Sequence, residues 1–259
     1  MKLIKEIALE LFKIKKQVPS RSGGEHEVSL ESVVDRSKQK DVWPVKTDKL
    51  ARYIDHTMLK PYATEKDIVQ LCKEADKYGF YSVCVNPVYV KLAKKHIKKV
   101  KICSVVGFPH GANTSKIKNE EAKLALQEGA SEIDMVISLG LLISEKYDDV
   151  YEEIKLLAET CHQNGAILKV ILETAILTLE QKIKAALLAK KAGADFVKTS
   201  TGFAAGGAIE RDVELLRKIV GPKMGVKASG GIGTKEKAIA MLEAGANRIG
   251  ASRSIEIVK

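Results

Sequence analysis

From Lys49 onward, short apolar runs alternate with longer segments of helical period. The runs are ARYIDHT, FYSVCVNP, KICSVVGFP, SEIDMVIS, ILKVILET, DFVKTSTG, MGVKASGG and NRIGAS. Most are rich in Val and Ile and flanked by Gly, Pro, Ser or Asp, the signature of a short buried strand. Between them lie segments such as TLEQKIKAALLAKKA, where Leu179, Ile183 and Leu187 recur at i, i+4 and i+8 with lysines on the other face. Eight such units in about 210 residues predict parallel βα repeats closing into a (β/α)₈ barrel. An open doubly wound sheet is the alternative.

A phrase recurs through the units. A predicted helix ends at a glycine, and the fifth residue after it falls in the next strand: Gly79 to Cys84, Gly129 to Asp134, Gly193 to Lys198, Gly245 to Gly250. Glycine suits the left-handed residue that closes a helix. The constant offset gives these fifth residues one orientation. If it is inward, Asp134 and Lys198 lie in the barrel near its C-terminal mouth, where barrel enzymes keep their active sites. Residues 1–46 stand outside the scheme. Residues 2–16 read as a helix with Leu3, Ile7 and Leu11 on one face, and VPSRSGGEHE as a loop. The expected organisation is an N-terminal extension of helix plus loop, 1–46, and a barrel domain, 47–259.

Composition narrows the function classes. No apolar stretch approaches the roughly 20 residues that cross a bilayer. MKLIKEIALELFKIKK is charged throughout, unlike a secretory signal, so the expected location is cytoplasmic, with no membrane partner. The net charge is +10, and 36 of the 43 basic residues are lysines, clustered in KLAKKHIKKVK at 91–101. That cluster has no interleaved aromatic and no arginine, so it reads as a solvated helix face, and no nucleic-acid partner is expected. Cys72, Cys84, Cys103 and Cys161 form no CxxC pair and read as reduced, buried small hydrophobes.

The chemistry concentrates on lysines in apolar strands. An ammonium inside a barrel is unfavourable unless paired or neutral. Lys198 alone could be a salt-bridged core residue, but Lys227 follows one strand later in an equivalent run. Two ammoniums about 4 Å apart repel by about 4 kcal/mol at an effective dielectric near 20. That is enough to leave one lysine neutral near pH 7 and able to attack a carbonyl. Asp134 adds a carboxylate that can pair with Lys227 and pass protons. The set suits carbon–carbon bond cleavage through a Schiff base, and leaves open which lysine is the nucleophile.

Two glycine-bearing loops, SGGIGT at 229–234 and GASRS at 250–254, each precede a helix-like segment. Helix starts bind phosphate through free N–H groups, and in barrels such sites commonly follow strands seven and eight. His56 and His110, in IDHT and FPHG, are placed at the barrel mouth; without HxH or HExxH spacing no metal site is expected.

IDHTMLKPYAT, SVCVNP, VVGFPHGANT, EIDMVIS, LKVILET, ADFVKTSTGF, GVKASGGI and RIGAS together resemble the deoxyribose-phosphate aldolase family, from about residue 50 to the end. The resemblance implies a class I aldolase acting on a phosphorylated sugar, 2-deoxy-D-ribose 5-phosphate, with no metal or organic cofactor. It implies Lys198 as the Schiff-base lysine, Lys227 as the second lysine and Asp134 as the acid/base group. Asp55 and Thr57 match first-strand polar residues near the substrate; Thr201, Gly202, Gly230, Gly231 and Ser252 match positions around the sugar phosphate. A homo-oligomer, dimer or tetramer, is expected. Where many members read GGIRT and TSS or ASS, this chain has GGIGT and ASR. Gly233 thus replaces a frequent arginine and Arg253 a serine, which suggests that the phosphate-binding cation has moved one loop along. The chain also ends at Lys259 without the tyrosine-bearing tail of some members, so any role of that tail is expected to be absent or supplied otherwise. The competing readings are a phosphate-binding barrel isomerase or synthase without a Schiff base, and a non-enzymatic basic binding module.

Overall fold

Eight parallel strands hydrogen-bond in chain order and close on themselves, β8 pairing with β1. The computed structural model describes Glu10 and residues 46–259. The predicted helix over 2–16, apart from Glu10, and the loop after it lie outside the described residues. The strands are β1 Ile54–Met58, β2 Ser82–Val85, β3 Lys101–Val106, β4 Glu132–Val136, β5 Ile167–Ile171, β6 Phe196–Lys198, β7 Gly225–Ser229 and β8 Arg248–Ala251. Each falls within one of the eight apolar runs, save that β1 extends one residue past ARYIDHT to Met58. The helices are α1 Glu65–Tyr78, α2 Val90–His96, α3 Ser115–Gln127, α4 Leu139–Ile143, α5 Tyr147–Gln163, α6 Leu179–Lys191, α7 Glu210–Val220, α8 Lys235–Glu243 and α9 Ser254–Val258. Strand alternating with helix around a closed sheet is the (β/α)₈ barrel the pattern predicted.

Local chemistry explains where the helices start. Thr64, Thr114, Thr178 and Thr234 each accept a backbone N–H of the first turn; Thr64 with Asp67 and Thr178 with Gln181 complete reciprocal capping boxes. The four glycines of the recurring phrase all have positive φ.

Strand alternation divides the molecule into two interiors. Val83, Ile133, Val197, Val226 and Ile249 face outward and form one buried core with the helices. The intervening side chains face inward, and there the barrel is charged.

Two expectations about lysines need correction. Lys182, assigned to the solvent face of α6, is buried and pairs with Asp212 on α7 at 2.6 Å. α7 packs over that side of α6, so a second face is covered that a one-face pattern cannot show. The basic residues of the run 91–101 are exposed, as expected for a solvated surface, but the run is not one helix. α2 stops at His96, where Asp76 accepts the N–H groups of Lys98 and Lys99 at 2.9 Å each and fixes the turn into β3.

Candidate active site

Seven charged side chains meet inside the barrel, all buried: Asp55 on β1, Glu132 and Asp134 on β4, Lys169 on β5, Lys198 on β6, Lys227 on β7 and Arg248 on β8. Asp134 is the hub. Its Oδ2 accepts from Lys198 Nζ at 2.8 Å and from Lys227 Nζ at 2.7 Å, and its Oδ1 from Lys169 Nζ at 2.8 Å. Lys227 also pairs with Asp55 at 2.5 Å, and Lys169 with Glu132 at 2.6 Å. Arg248 spans Asp55 at 3.0 Å and Glu132 at 3.2 Å, its guanidinium lying 3.3 Å over the Tyr81 ring. Ser82 donates to Asp55 at 2.7 Å.

This arrangement changes the electrostatic picture read from two lysines alone. They do not face each other bare, because a single carboxylate oxygen lies between them. Burial by itself would raise the Asp134 carboxyl, but Lys169, Lys198 and Lys227 outweigh it and hold the group well below the ordinary carboxylate range. Burial likewise opposes the charge on Lys169 and Lys227. Asp134, with Cys103 and Glu132 for Lys169 and with Asp55 for Lys227, overrides it and pushes both above the usual lysine value. Asp55 is held down against its own burial by Lys227 and Arg248.

Gly250 is what admits Lys227. A side chain there would begin 2.9 Å from Ser229 Cβ and 3.1 Å from Lys227 Cε, so only glycine leaves the lysine its space. This links the recurring phrase to the chemistry. Cys84, Asp134, Lys198 and Gly250 sit on the even strands at the inward register, and Gly250 holds its place there by lacking a side chain.

Of the residues predicted for the site, the structure brings Asp55, Asp134, Lys198 and Lys227 into direct contact. Thr57 is on β1, its hydroxyl donating to the Asp55 carbonyl at 2.8 Å. Thr201, Gly202, Gly230 and Gly231 lie on the loops after β6 and β7. There the two loops touch backbone to backbone: Ala208 N donates to Gly230 O at 3.0 Å, and a Cβ at Gly207 would stand 2.4 Å from that oxygen. The Thr201 hydroxyl is already engaged, donating to Glu173 and accepting from Phe203 N at 3.1 Å, so it shapes the loop. Ser252 and Arg253 are exposed on the loop after β8. Arg253 is 3.8 Å from Glu256, a loose exposed pair, and its guanidinium lies along Gly233: a Cβ there would be 2.1 Å from Nη2. The arginine fills the space that a side chain at 233 would occupy.

Sequence reasoning missed Lys169, Glu132, Arg248 and Glu173. Glu173, two residues past β5, is buried at a positive φ of 55° and accepts both the N–H and the hydroxyl of Thr201. A lysine in LKVILET carried the same signal as the one in DFVKTS, an ammonium between apolar strand residues. His56 is a correction. It is not at the mouth but on the outer face of β1, bonded to Glu74 of α1 at 2.9 Å and packed 4.9 Å from the Phe80 ring. With Asp55 and Thr57 facing inward, alternation sends His56 outward. His110 is exposed on the loop after β3. Among the described residues no helix is long and apolar enough to cross a membrane.

The family profile described as DeoC/LacD family aldolase matches residues 49–253. A deoxyribose-phosphate aldolase of Thermococcus gammatolerans is 58% identical over 214 residues, covering 81% of this chain and 95% of that protein. The solved structure of a putative deoxyribose-phosphate aldolase from Coccidioides immitis superposes with a TM-score of 0.85 at 38% identity, over 98% of this chain and 96% of that one. A deoxyribose phosphate aldolase from Aeropyrum pernix, described as a unique tetramer, gives a TM-score of 0.76 at 38% identity, over 82% and 90%. The chain belongs to the DeoC/LacD aldolase family.

Proposed function

We propose that this chain is a class I aldolase that reversibly cleaves 2-deoxy-D-ribose 5-phosphate to D-glyceraldehyde 3-phosphate and acetaldehyde, with Lys198 as the Schiff-base lysine. The observation that carries the assignment is the unequal pairing of the buried lysines. Lys169 and Lys227 each touch two carboxylates, whereas Lys198 touches only Asp134 Oδ2, which it shares with Lys227. The cluster holds four basic groups, Lys169, Lys198, Lys227 and Arg248, against three carboxylates, Asp55, Glu132 and Asp134. A buried charge without its own partner is strongly disfavoured. Lys198 is the least-held of the three lysines, and as the last residue of β6 it stands at the catalytic end of the barrel.

The Lys198 amine attacks the C1 aldehyde of the open-chain sugar, and loss of water gives the imine. The protonated imine draws in the electrons of the C2–C3 bond once the C3 hydroxyl loses its proton. Glyceraldehyde 3-phosphate leaves, and the two-carbon enamine is protonated at C2 and hydrolysed to acetaldehyde. Asp134, hydrogen-bonded to both Lys198 and Lys227, forms with Lys227 the pair that accepts and returns these protons. Asp55 and Thr57 supply polar contacts from β1. Incubation with deoxyribose 5-phosphate should release both aldehydes in equal amounts, at a rate unchanged by exhaustive EDTA treatment. Failure to release them, or a rate restored only by a divalent ion, contradicts the reading.

The phosphate falls to the loops carrying Gly202, Gly230, Gly231, Ser252 and Arg253. A guanidinium can bind phosphate with two parallel hydrogen bonds, and Arg253 lies along the position where other members carry their arginine. Arg253→Ser should raise KM for deoxyribose 5-phosphate about ten- to a hundredfold, roughly 1.5–3 kcal/mol for a charged hydrogen bond. The rate on unphosphorylated deoxyribose should hardly change. Gly233→Arg combined with Arg253→Ser should recover part of the loss. Equal effects on both sugars would show that Arg253 is not a phosphate ligand.

Residues 47–259 form the catalytic unit in this reading, with 1–46 an added segment. A homo-oligomer is part of the proposal, supported by the tetrameric relative from Aeropyrum pernix.

A further inference from the structure

The barrel interior holds two thiols that the proposed reaction does not use. Cys84 on β2 and Cys103 on β3 are register partners and fully buried. Cys103 Sγ donates to Asp134 Oδ1 at 3.1 Å, and the two sulfurs and an Asp134 carboxylate oxygen all lie within 4.8 Å of one another. Leu59 and Val105 pack with the thiols, separate from the main core. We infer that Cys84, Cys103 and Asp134 form an inhibitory site for a thiophilic divalent cation of the Zn²⁺ or Cd²⁺ type, which switches the cluster off by drawing Asp134 from its lysines.

The donor set selects the ion. Two thiolates and a carboxylate suit a four-coordinate soft cation with one position left for water, and they disfavour Mg²⁺ and Ca²⁺, which prefer oxygen ligands. At metal–sulfur distances near 2.3 Å and metal–oxygen distances near 2.1 Å, tetrahedral ligands stand roughly 3.5–3.8 Å apart. The three side chains therefore need to draw together by no more than about 1 Å.

Charge balance points the same way. Two thiols plus one M²⁺ give a dithiolate complex and two released protons, so the net charge in the barrel does not change. A hard ion that left the thiol protons in place would add two positive charges where basic groups already outnumber carboxylates. Lys169 is the group that must yield, 3.5 Å from Cys103 Sγ and 2.8 Å from Asp134 Oδ1. Its bond to Glu132 at 2.6 Å keeps it paired once Asp134 turns to the metal. Cys72 and Cys161 are buried elsewhere, in the helix-lined core, and lack this geometry.

The inhibition rests on the aldolase reading; the binding does not. The test titrates the full chain with Cd²⁺ alone, following the sulfur-to-cadmium charge-transfer absorption, bound metal by equilibrium dialysis, and cleavage of deoxyribose 5-phosphate. One Cd²⁺ per chain should give a thiolate band and lower turnover at least tenfold, EDTA should reverse both, and Mg²⁺ should do neither. Cys84→Ser and Cys103→Ser should each abolish the band, with Cys84→Ala and Cys103→Ala as substitutes where a serine is not tolerated. Cys72→Ser and Cys161→Ser should keep it. Cadmium on histidines elsewhere gives no thiolate band. A band that survives loss of Cys84 and of Cys103, or cadmium bound without one, overturns the site. A band at full occupancy with unaffected turnover overturns the switch. A chain that shows the band but never cleaves the sugar leaves the site standing and removes the aldolase reading.

Discussion

Replacing Lys198 by methionine should lower kcat/KM on deoxyribose 5-phosphate by about 10⁴-fold or more, roughly 5.4 kcal/mol at 1.36 kcal/mol per decade, and leave a folded protein. Both halves follow from the same cluster. Without the amine no imine forms, so the whole covalent route is lost. The remaining charges balance, with Lys169, Lys227 and Arg248 against Asp55, Glu132 and Asp134. Methionine fills similar volume, and Asp134 keeps its bonds to Lys169 and Lys227. Stability should change by no more than about 1.5 kcal/mol, the net worth of one hydrogen bond. Denaturant unfolding beside steady-state kinetics checks this. Residual activity within tenfold of the parent would mean that another lysine is the nucleophile.

Asp134→Asn should cost both activity and stability. It removes the carboxylate that three lysines share and leaves four basic groups against two acids. Breaking a buried ion pair by deleting one partner typically costs about 3–5 kcal/mol. Turnover should fall with it, because the proton pair is broken. The losses should not be additive: Lys198→Met combined with Asp134→Asn removes one of the basic groups left short of a carboxylate and should be more stable than Asp134→Asn alone. The pH dependence gives a second readout. Asp134 and Asp55 are both held below their unfolded values. The stability they contribute is therefore complete above roughly pH 4 and lost as pH falls further. Asp134→Asn should flatten that acid limb. An unchanged acid limb and unchanged denaturant midpoint would show that the hub carries no net stability.

The fold was legible because its signal is repeated. Each unit states strand, helix and turn afresh, so eight weak readings add up, and β6 was found although it is only Phe196–Lys198. Asp134 and Lys198 were legible for the same reason, through the fifth-residue phrase. That phrase belongs to the even strands. On β5 the offset from Gly165 to Lys169 is four residues, and on β7 the offset from Gly221 to Lys227 is six. Neighbouring strands of a barrel are staggered, so one offset cannot serve both sets. Lys227 was recovered from its run, but Lys169, in the comparable run ILKVILET, was not singled out. Glu132 and Arg248 stayed hidden because each opens a strand, where a charged residue ordinarily faces solvent; only closure of the barrel brings them within 3.2 Å. The thiols of Cys84 and Cys103 were read correctly as buried, but the apolar pattern does not say which interior they face.

The central claim is that the least-paired lysine in the barrel is the one that bonds the substrate. The most direct measurement is reduction with borohydride in the presence of acetaldehyde, followed by peptide mapping. The account predicts a single two-carbon adduct on the peptide containing ADFVKTSTGF, at Lys198, and none in the Lys198→Met protein. An adduct that maps mainly to Lys227 or Lys169, or no adduct while the enzyme cleaves deoxyribose 5-phosphate, would contradict it.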